Sequence, residues 1–221
     1  EIAGQEYVTR AIKNSLRENT ALVSVMYVNN ETGVKQPIKE IGEILEEKEI
    51  FFHTDAVQAI GKEIINPKEL KIGALTAASH KFHGPKGIGF LYAASTDFDP
   101  YLHGGDQEQK KRAGTENLPA IIGMVAALKD DLEHLESNFE KVQKLQEIFL
   151  AEMDGVNYYL NQGKENLPYV LNIGFPGQRN DLLLLRLDLE GISISTGSAC
   201  TAGVVQVSHV LQACYGEDSP R

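Results

Sequence analysis

The stretch "ASHKFHGPKGIG" at residues 78–89 places two lysines between apolar runs, "GALTA" before it and "FLYA" after it. Lys81 directly follows the first run, whereas Lys86 lies in a Gly-Pro turn. A lysine at the end of a buried strand is partly desolvated, so its amine can be neutral and nucleophilic. Spacing alone also permits an ordinary surface lysine at 81. The pattern favours Lys81 over Lys86 as the lysine that carries chemistry.

Apolar runs and helical patterns alternate along the first part of the chain. The strand-like runs are 21–28, 50–55, 73–80 and 87–93. Helical spacing of apolar residues occurs at 6–18, at 37–48 and from Leu118 to Glu152, with a break expected near 129–131. Strands that alternate with helices predict an α/β fold with a mostly parallel sheet and flanking helices.

Shorter elements follow the long helical pattern. The runs "NYYL", "YVLNIGF" and "ISIS", with a helix near 181–190, indicate a smaller α+β lobe. We therefore expect a partial large domain over 1–125 and a partial small C-terminal domain over 126–221. The acidic stretch "KDDLEHLES" (129–137) predicts a solvated helix face.

Composition argues against several kinds of partner. The 221 residues are 42% hydrophobic and carry a net charge of −10, which disfavours nucleic acid or an anionic membrane. No apolar run approaches the roughly 18 residues that a membrane helix needs. The two cysteines, Cys200 and Cys214, lack CxxC spacing, which favours a reduced, cytoplasmic setting over disulfides or a metal site. Cys214 follows "HVLQA" at helical spacing, and we expect it in the core.

Polar residues follow the ends of three predicted strands. Asn30, Asp55 and Lys81 each come after an apolar run, and Gln58 follows Asp55 closely. In an open α/β sheet, ligands bind beyond the carboxyl ends of the strands. Pyridoxal phosphate (PLP) fits such a set, because it needs a lysine for a Schiff base and an acid for its ring nitrogen. A helix-capping role is an equally open interpretation of Asp55.

Five motifs carry a more specific resemblance. They are, in order, "VNNETG" (28–33), "HTDAVQ" (53–58), "SHKFHGPKGIG" (79–89), "RAGTEN" (112–117) and "TGSACTAG" (196–203). Together they resemble cysteine desulfurases of the NifS/IscS type, which are PLP enzymes of the aminotransferase-like fold (fold type I). The resemblance extends from about residue 20 to residue 212.

The resemblance implies a role for each strand-end residue. Lys81 would form the Schiff base with PLP, and Asp55 would pair with the pyridinium nitrogen. Gln58 and Asn30 would hydrogen-bond near the phenolic oxygen of the ring. His80 would help to hold the phosphate.

It also implies a subunit arrangement and a sulfur carrier. Thr115 would reach the phosphate of the neighbouring subunit in a homodimer. Cys200 would be the nucleophile that takes sulfur from L-cysteine, leaving L-alanine and a persulfide. An iron–sulfur scaffold protein or a tRNA-thiolating enzyme would accept the sulfur. No metal is implied.

The chain departs from the family pattern in two ways. The family usually has serine three residues before the Schiff-base lysine, where this chain has Ala78, with Ser79 one place later. A phosphate-binding turn, a ring-stacking histidine and a carboxylate-binding arginine, which the family carries nearer its two ends, are not found. We therefore expect a fragment that is inactive alone.

Other functions stay open on the residues alone. Another fold type I PLP enzyme, such as an aminotransferase or a selenocysteine lyase, would need the same strand-end residues. A non-catalytic, dimerising relative would need none of them. The motif around Cys200 favours the desulfurase, because a transaminase has no need of a cysteine there.

Overall fold

The computed structural model describes residues 4–197 and 208–216. The helices are α1 (Gln5–Ser15), α2 (Ile38–Glu46), the single turn α3 (Gln107–Lys110), α4 (Leu118–Glu133), α5 (Leu135–Glu152), α6 (Asn180–Leu189) and α7 (His209–Tyr215). The strands are β1 (Leu22–Met26), β2 (Phe51–Asp55), β3 (Ala74–Ala78), β4 (Gly89–Ala93), β5 (Tyr159–Leu160) and β6 (Ile173–Gly174). Cys200 lies outside the described residues.

The first four strands of the chain form one sheet, in the order β1-β2-β3-β4. Strands β1, β2 and β3 are parallel, and β4 pairs with β3 in the antiparallel direction. Asp55, the last residue of β2, is opposite Met26 on one side and Thr76 on the other. The predicted α/β fold with a mostly parallel sheet is confirmed.

Helix α2 shows why these residues form a helix and where they pack. Ile38, Ile41 and Leu45 recur at helical spacing and are buried, while Pro37 precedes the helix. The helix packs against β2, whose Phe52 is also buried. Full burial of one such apolar side chain contributes about 1.5–3 kcal/mol to stability. This packing fixes β2, and therefore Asp55, against the core.

The long helical pattern divides into α4 and α5, as the sequence predicts. Asn117 Oδ1 caps α4 by accepting a hydrogen bond from the Ala120 nitrogen at 3.3 Å. The break falls at His134, whose backbone is not helical (φ −107°, ψ 13°). It lies a few residues later than predicted, because no glycine or proline marks the position in the sequence.

The chain divides into two compact units. The second unit comprises Thr9–Tyr27 and Gln36–Phe139 and contains the four-stranded sheet. The first unit comprises the other described residues and contains the antiparallel pair β5–β6 and helices α6 and α7. The domain boundary between 125 and 126 stays a prediction.

Two sequence-based expectations are wrong in the first unit. The run "ISIS" at 192–195 forms no strand within the part of the chain that the structure describes. Cys214 is exposed rather than in the core. Within residues 4–197 and 208–216, no helix is long and apolar enough to cross a bilayer.

Candidate active site

Asp55 ends β2 and begins a tight turn. Its Oδ1 accepts a hydrogen bond from the Val57 nitrogen at 2.9 Å. The next residue is still held by the sheet, since the Ala56 nitrogen donates a hydrogen bond to the backbone oxygen of Thr76 in β3 at 2.9 Å. Residues 56–60 form a turn and not a helix, so the helix-capping interpretation of Asp55 is wrong, and its Oδ1 stabilises the turn instead. The side chain is exposed, so its second oxygen stays accessible to a ligand.

Lys81 ends the 3-10 turn Ser79–Lys81 that directly follows β3. The backbone carbonyl oxygen of Ser79 accepts hydrogen bonds from the backbone nitrogens of Phe82 and Gly84, both at 3.0 Å. Lys81 is half-buried, whereas Lys86 is exposed. The two lysines differ in burial in the way the sequence predicts, and β2 and β3 place Asp55 and Lys81 after neighbouring strands.

A second lysine, which the sequence-based reasoning missed, lies beside Gln58. Lys62 Nζ donates a hydrogen bond to Gln58 Oε1 at 3.4 Å. Burial, and next the positive charge of Lys81, lower the pKa of Lys62 below its usual 10.5, and the negative charge of Asp131 opposes this. Gln58, Lys62 and Lys81 form a polar cluster, in which Lys62 contacts Gln58 and interacts electrostatically with Lys81.

Asp131 is a buried carboxylate on α4 that sequence patterning assigned to a solvated face. That prediction is wrong for Asp131, which is 5% exposed. Its Oδ1 lies 2.9 Å from Nδ1 of His83, a residue with a left-handed backbone (φ +63°). The hydrogen bond ties the turn after Lys81 to α4. Its partners are 48 positions apart, so no local pattern could reveal it.

Ser79 does not replace the serine that the family has at position 78. Its Oγ is buried and has no hydrogen-bond partner among the described residues. A Cβ added to Gly84 would lie only 2.1 Å from this oxygen, so glycine is needed there. The Ser79 hydroxyl therefore packs against the Gly84 backbone and is not accessible to a phosphate.

A row of hydrogen bonds crosses the three parallel strands on the face that carries Asp55. His53 Nδ1 lies 2.7 Å from Ser24 Oγ of β1, and His53 Nε2 lies 3.2 Å from Thr76 Oγ1 of β3. Either neutral tautomer of the ring is satisfied, because a hydroxyl can both donate and accept. His53 is two residues before Asp55, so the row supports the strand end where Asp55 lies.

The remaining predicted site residues are distributed differently. His80 is exposed on the turn before Lys81, and Thr115 is exposed between α3 and α4. Asn30 is exposed in a turn of the first unit. The structure thus groups Asp55, Gln58 and Lys81 in the second unit at the carboxyl ends of parallel strands.

The donor set of this group fits PLP. A half-buried amine, an exposed carboxylate and an amide held by a neighbouring cation match the amine, acid and hydrogen-bond donor that the ring requires. Within the described residues, no group of three or more His, Cys, Asp or Glu side chains is placed so that it could hold a metal ion.

The mostly parallel sheet and its flanking helices have the PLP-dependent aminotransferase-like fold of NifS-like structures. The profile of the class-V aminotransferase family (Aminotransferase class-V) matches residues 3–215. The chain belongs to this family.

The sequence is also similar to individual curated proteins. Curated relatives are 43–49% identical over 206 to 216 residues. One is the cysteine desulfurase IscS of Dictyoglomus turgidum (strain DSM 6724 / Z-1310), 43% identical over 91% of this chain and 52% of that relative. The chain spans about half the length of the curated relatives it matches.

Solved structures have the same fold. A NifS-like protein has a TM-score of 0.81 and 33% identity, with 85% of this chain and 53% of that chain covered. The protein SspA in complex with cysteine has a TM-score of 0.78 and 35% identity, with 93% of this chain and 58% of that chain covered.

Proposed function

We propose that this chain is part of a PLP-dependent cysteine desulfurase, which converts L-cysteine to L-alanine and keeps the sulfur as a persulfide on Cys200. The grouping of Asp55, Gln58 and Lys81 at parallel strand ends carries the proposal. The order of five motifs and the similarity to relatives named cysteine desulfurase support it. The SspA structure with bound cysteine supports the substrate.

Each grouped residue has a chemical task. PLP, when bound, supplies an electron sink that makes bonds next to an amino group labile. The Lys81 amine would hold the cofactor and, as a free amine, would move the proton of the substrate Cα. The Asp55 carboxylate would hold a proton on the ring nitrogen, and the Gln58 amide would donate to the phenolic oxygen.

Cys200 performs the sulfur step. Its thiolate attacks the sulfur of L-cysteine, a new S–S bond forms, and the bond between that sulfur and Cβ breaks with its electron pair going to the carbon side. Protonation of Cβ then completes L-alanine. Overall, one thiol and L-cysteine become one persulfide and L-alanine, so the sulfur is oxidised and Cβ is reduced.

The rest of the proposed binding site involves residues other than Asp55, Gln58 and Lys81. Asn30 would contact the ring, His80 would contact the phosphate, and Thr115 would reach the phosphate bound by the other subunit of a homodimer. Because the chain spans about half the length of its curated relatives, we expect the remaining groups to come from the rest of the protein. A sulfur-acceptor protein, either an iron–sulfur scaffold or a tRNA-thiolating enzyme, and a cytoplasmic location complete the proposal.

The experiment compares variants of the full-length protein loaded with PLP. L-alanine is measured after L-cysteine is added, and persulfide on the peptide that contains Cys200 is measured by mass spectrometry. We expect Lys81→Ala and Cys200→Ser to abolish L-alanine formation. Lys86→Ala is the matched control, since this lysine is exposed on the same loop, and it keeps full activity.

Two outcomes would refute the proposal. Transamination of L-cysteine without persulfide would indicate an aminotransferase. Turnover of L-selenocysteine with none of L-cysteine would indicate a selenocysteine lyase. Loss of the Schiff-base absorbance in Lys86→Ala but not in Lys81→Ala would overturn the choice of lysine.

A further inference from the structure

Lys62 is a half-buried lysine in the turn that follows β2, and the proposed reaction gives it no task. Its Nζ donates a hydrogen bond to Gln58 Oε1 at 3.4 Å, from four positions further along the chain. Gln58 is half-buried as well. A cation placed beside an amide at a candidate cofactor site needs an explanation, because taking a charge out of water is costly.

The backbone around Gln58 and Lys62 is anchored to the core. The Ile60 nitrogen donates to the Ala56 oxygen at 3.0 Å, and the Lys62 nitrogen donates to the Ala59 oxygen at 3.0 Å. Ala56 and Ala59 are completely buried. The hydrogen bond between the two side chains therefore forms across a turn whose own backbone is already fixed.

Gly61 shows that this turn lies directly against the turn of Lys81. A Cβ added to Gly61 would lie 2.8 Å from the Phe82 Cβ and 3.0 Å from Asp131 Oδ2. Its backbone is in the left-handed region (φ +79°), which also favours glycine. Gly61 precedes Lys62 and Phe82 follows Lys81 in the chain. The two turns are thus neighbours within one compact unit.

Asp131 supplies a counter-charge for Lys62. Burial, and next the positive charge of Lys81, lower the pKa of Lys62, while the negative charge of Asp131 acts in the opposite direction. The Asp131 carboxylate is buried and is held by His83, whose Nδ1 lies 2.9 Å from Oδ1. A fixed carboxylate favours the ammonium form of Lys62, which has N–H donors and no acceptor.

An amide that faces an ammonium group has one favourable orientation. The Gln58 amide has an oxygen that accepts and an NH₂ group that donates. Because an ammonium can only donate, the atom of Gln58 that faces Lys62 is the oxygen. The NH₂ group is then directed away from Lys62, and it has no hydrogen-bond partner among residues 4–197 and 208–216. The amide is left with a free donor, which an ionised phenolic oxygen can accept.

We infer that Lys62 is a positioning residue that holds the Gln58 amide with its nitrogen available to the phenolic oxygen of PLP. The inference rests on the proposed function, in which Gln58 donates to that oxygen. Lys62 acts through Gln58 and not by contact with the cofactor. Without Lys62 the amide can also present its oxygen, and that orientation has to be given up each time PLP binds.

The test measures PLP binding by the full-length protein after its cofactor has been removed. Titration with PLP, followed by the Schiff-base absorbance, gives the dissociation constant and the absorbance maximum. Lys62→Met removes the donor and the charge, Lys62→Arg keeps both, and Gln58→Ala removes the amide. Lys62→Met is also combined with Gln58→Ala. Lys68→Met is the matched control, since Lys68 is an exposed lysine in the same unit.

We expect Lys62→Met to raise the dissociation constant of PLP by about two- to tenfold, which is the effect of one hydrogen bond. It should shift the absorbance maximum in the same direction as Gln58→Ala does. Lys62→Arg and Lys68→Met should stay close to the unmodified protein. Once Gln58 is alanine, Lys62→Met should add no further loss, because the group through which Lys62 acts is gone.

Three results would overturn the inference. If Lys62→Met binds PLP as tightly as Lys68→Met does, Lys62 has no positioning role, while the proposed function stands. If Lys62→Met weakens binding equally with and without the Gln58 amide, its effect is structural or comes directly from its charge. If the unmodified protein forms no Schiff base, or forms one equally in Lys81→Ala, the proposed function fails, and the inference fails with it.

Discussion

Asp131 and His83 form a hydrogen bond of 2.9 Å that joins helix α4 to the turn following Lys81. The Asp131 side chain is buried, while the His83 side chain is largely exposed. The pair therefore restrains the Lys81 turn from the side of the helix, beside the cluster of Gln58, Lys62 and Lys81.

Removing the Asp131 carboxylate should destabilise the protein. We expect Asp131→Ala to lower the free energy of unfolding by about 1–3 kcal/mol, because a buried hydrogen bond with His83 and a favourable charge near Lys62 are lost. Urea denaturation of the full-length protein measures the change. Asp130→Ala, at an exposed neighbour, is the control and should have little effect; equal losses in the two variants would contradict the role given to Asp131.

Lys62 should make stability depend on pH. Its pKa is lowered in the folded protein, chiefly by burial, so the unfolded chain binds more protons than the native one between that lowered pKa and 10.5. The free energy of unfolding therefore rises with pH in this window. We expect the stability of the unmodified protein relative to Lys62→Met to increase as pH approaches 10.5. The exposed Lys86→Met variant should show no such slope, and a flat difference for Lys62→Met would refute the prediction.

Tyr27 should make the free energy of unfolding fall as the pH rises, which is the opposite of the effect of Lys62. Burial, and next the negative charge of Glu63, raise the pKa of Tyr27 from 10.0 to about 12. Its stabilising contribution is present below 10.0 and is lost as pH rises through 12, up to about 3 kcal/mol in all. Tyr27→Phe should remove this loss in denaturation curves recorded across the window. Tyr101→Phe, at a residue 93% exposed, should leave it intact.

Gly84 and Ser79 should be energetically coupled. The new methyl group of Gly84→Ala would collide with the side-chain oxygen Oγ of Ser79. We expect this collision to cost about 1–3 kcal/mol of stability. Ser79→Ala alone should be nearly neutral, since the buried hydroxyl has no described partner to lose. The double variant should recover part of the Gly84→Ala loss. Strict additivity of the two changes in a thermal-unfolding cycle would exclude the collision.

The strands of the four-stranded sheet were readable from the sequence for a physical reason. Buried parallel strands are short apolar runs, and the candidate residues Asp55 and Lys81 stand at the end of β2 and in the turn after β3, where ligands bind in such sheets. The 3.6-residue spacing likewise identified α2 and the pair α4 and α5. These signals are local, so each can be seen in one window of sequence.

The features that were missed depend on distant contacts. Glu31 stands in a quoted motif, but its buried carboxylate accepts a hydrogen bond from Ser208, which is 177 positions away. Asp131 is one of several acidic residues in its stretch, and it is buried because it packs against the turns that contain Gly61 and His83. Cys214 has helical spacing, but α7 leaves it exposed, since spacing identifies a helix face without showing what covers it.

The row formed by Ser24, His53 and Thr76 also fixes how β2 is aligned with its neighbours. Successive side chains of a strand point to opposite faces, so a slip of β2 by one residue would break both hydrogen bonds at once. The same slip would turn Asp55 to the other side of the sheet. A misaligned strand therefore loses both its polar crosslink and its carboxylate, which makes correct alignment of the sheet and a usable acid at the strand end a single, all-or-none event.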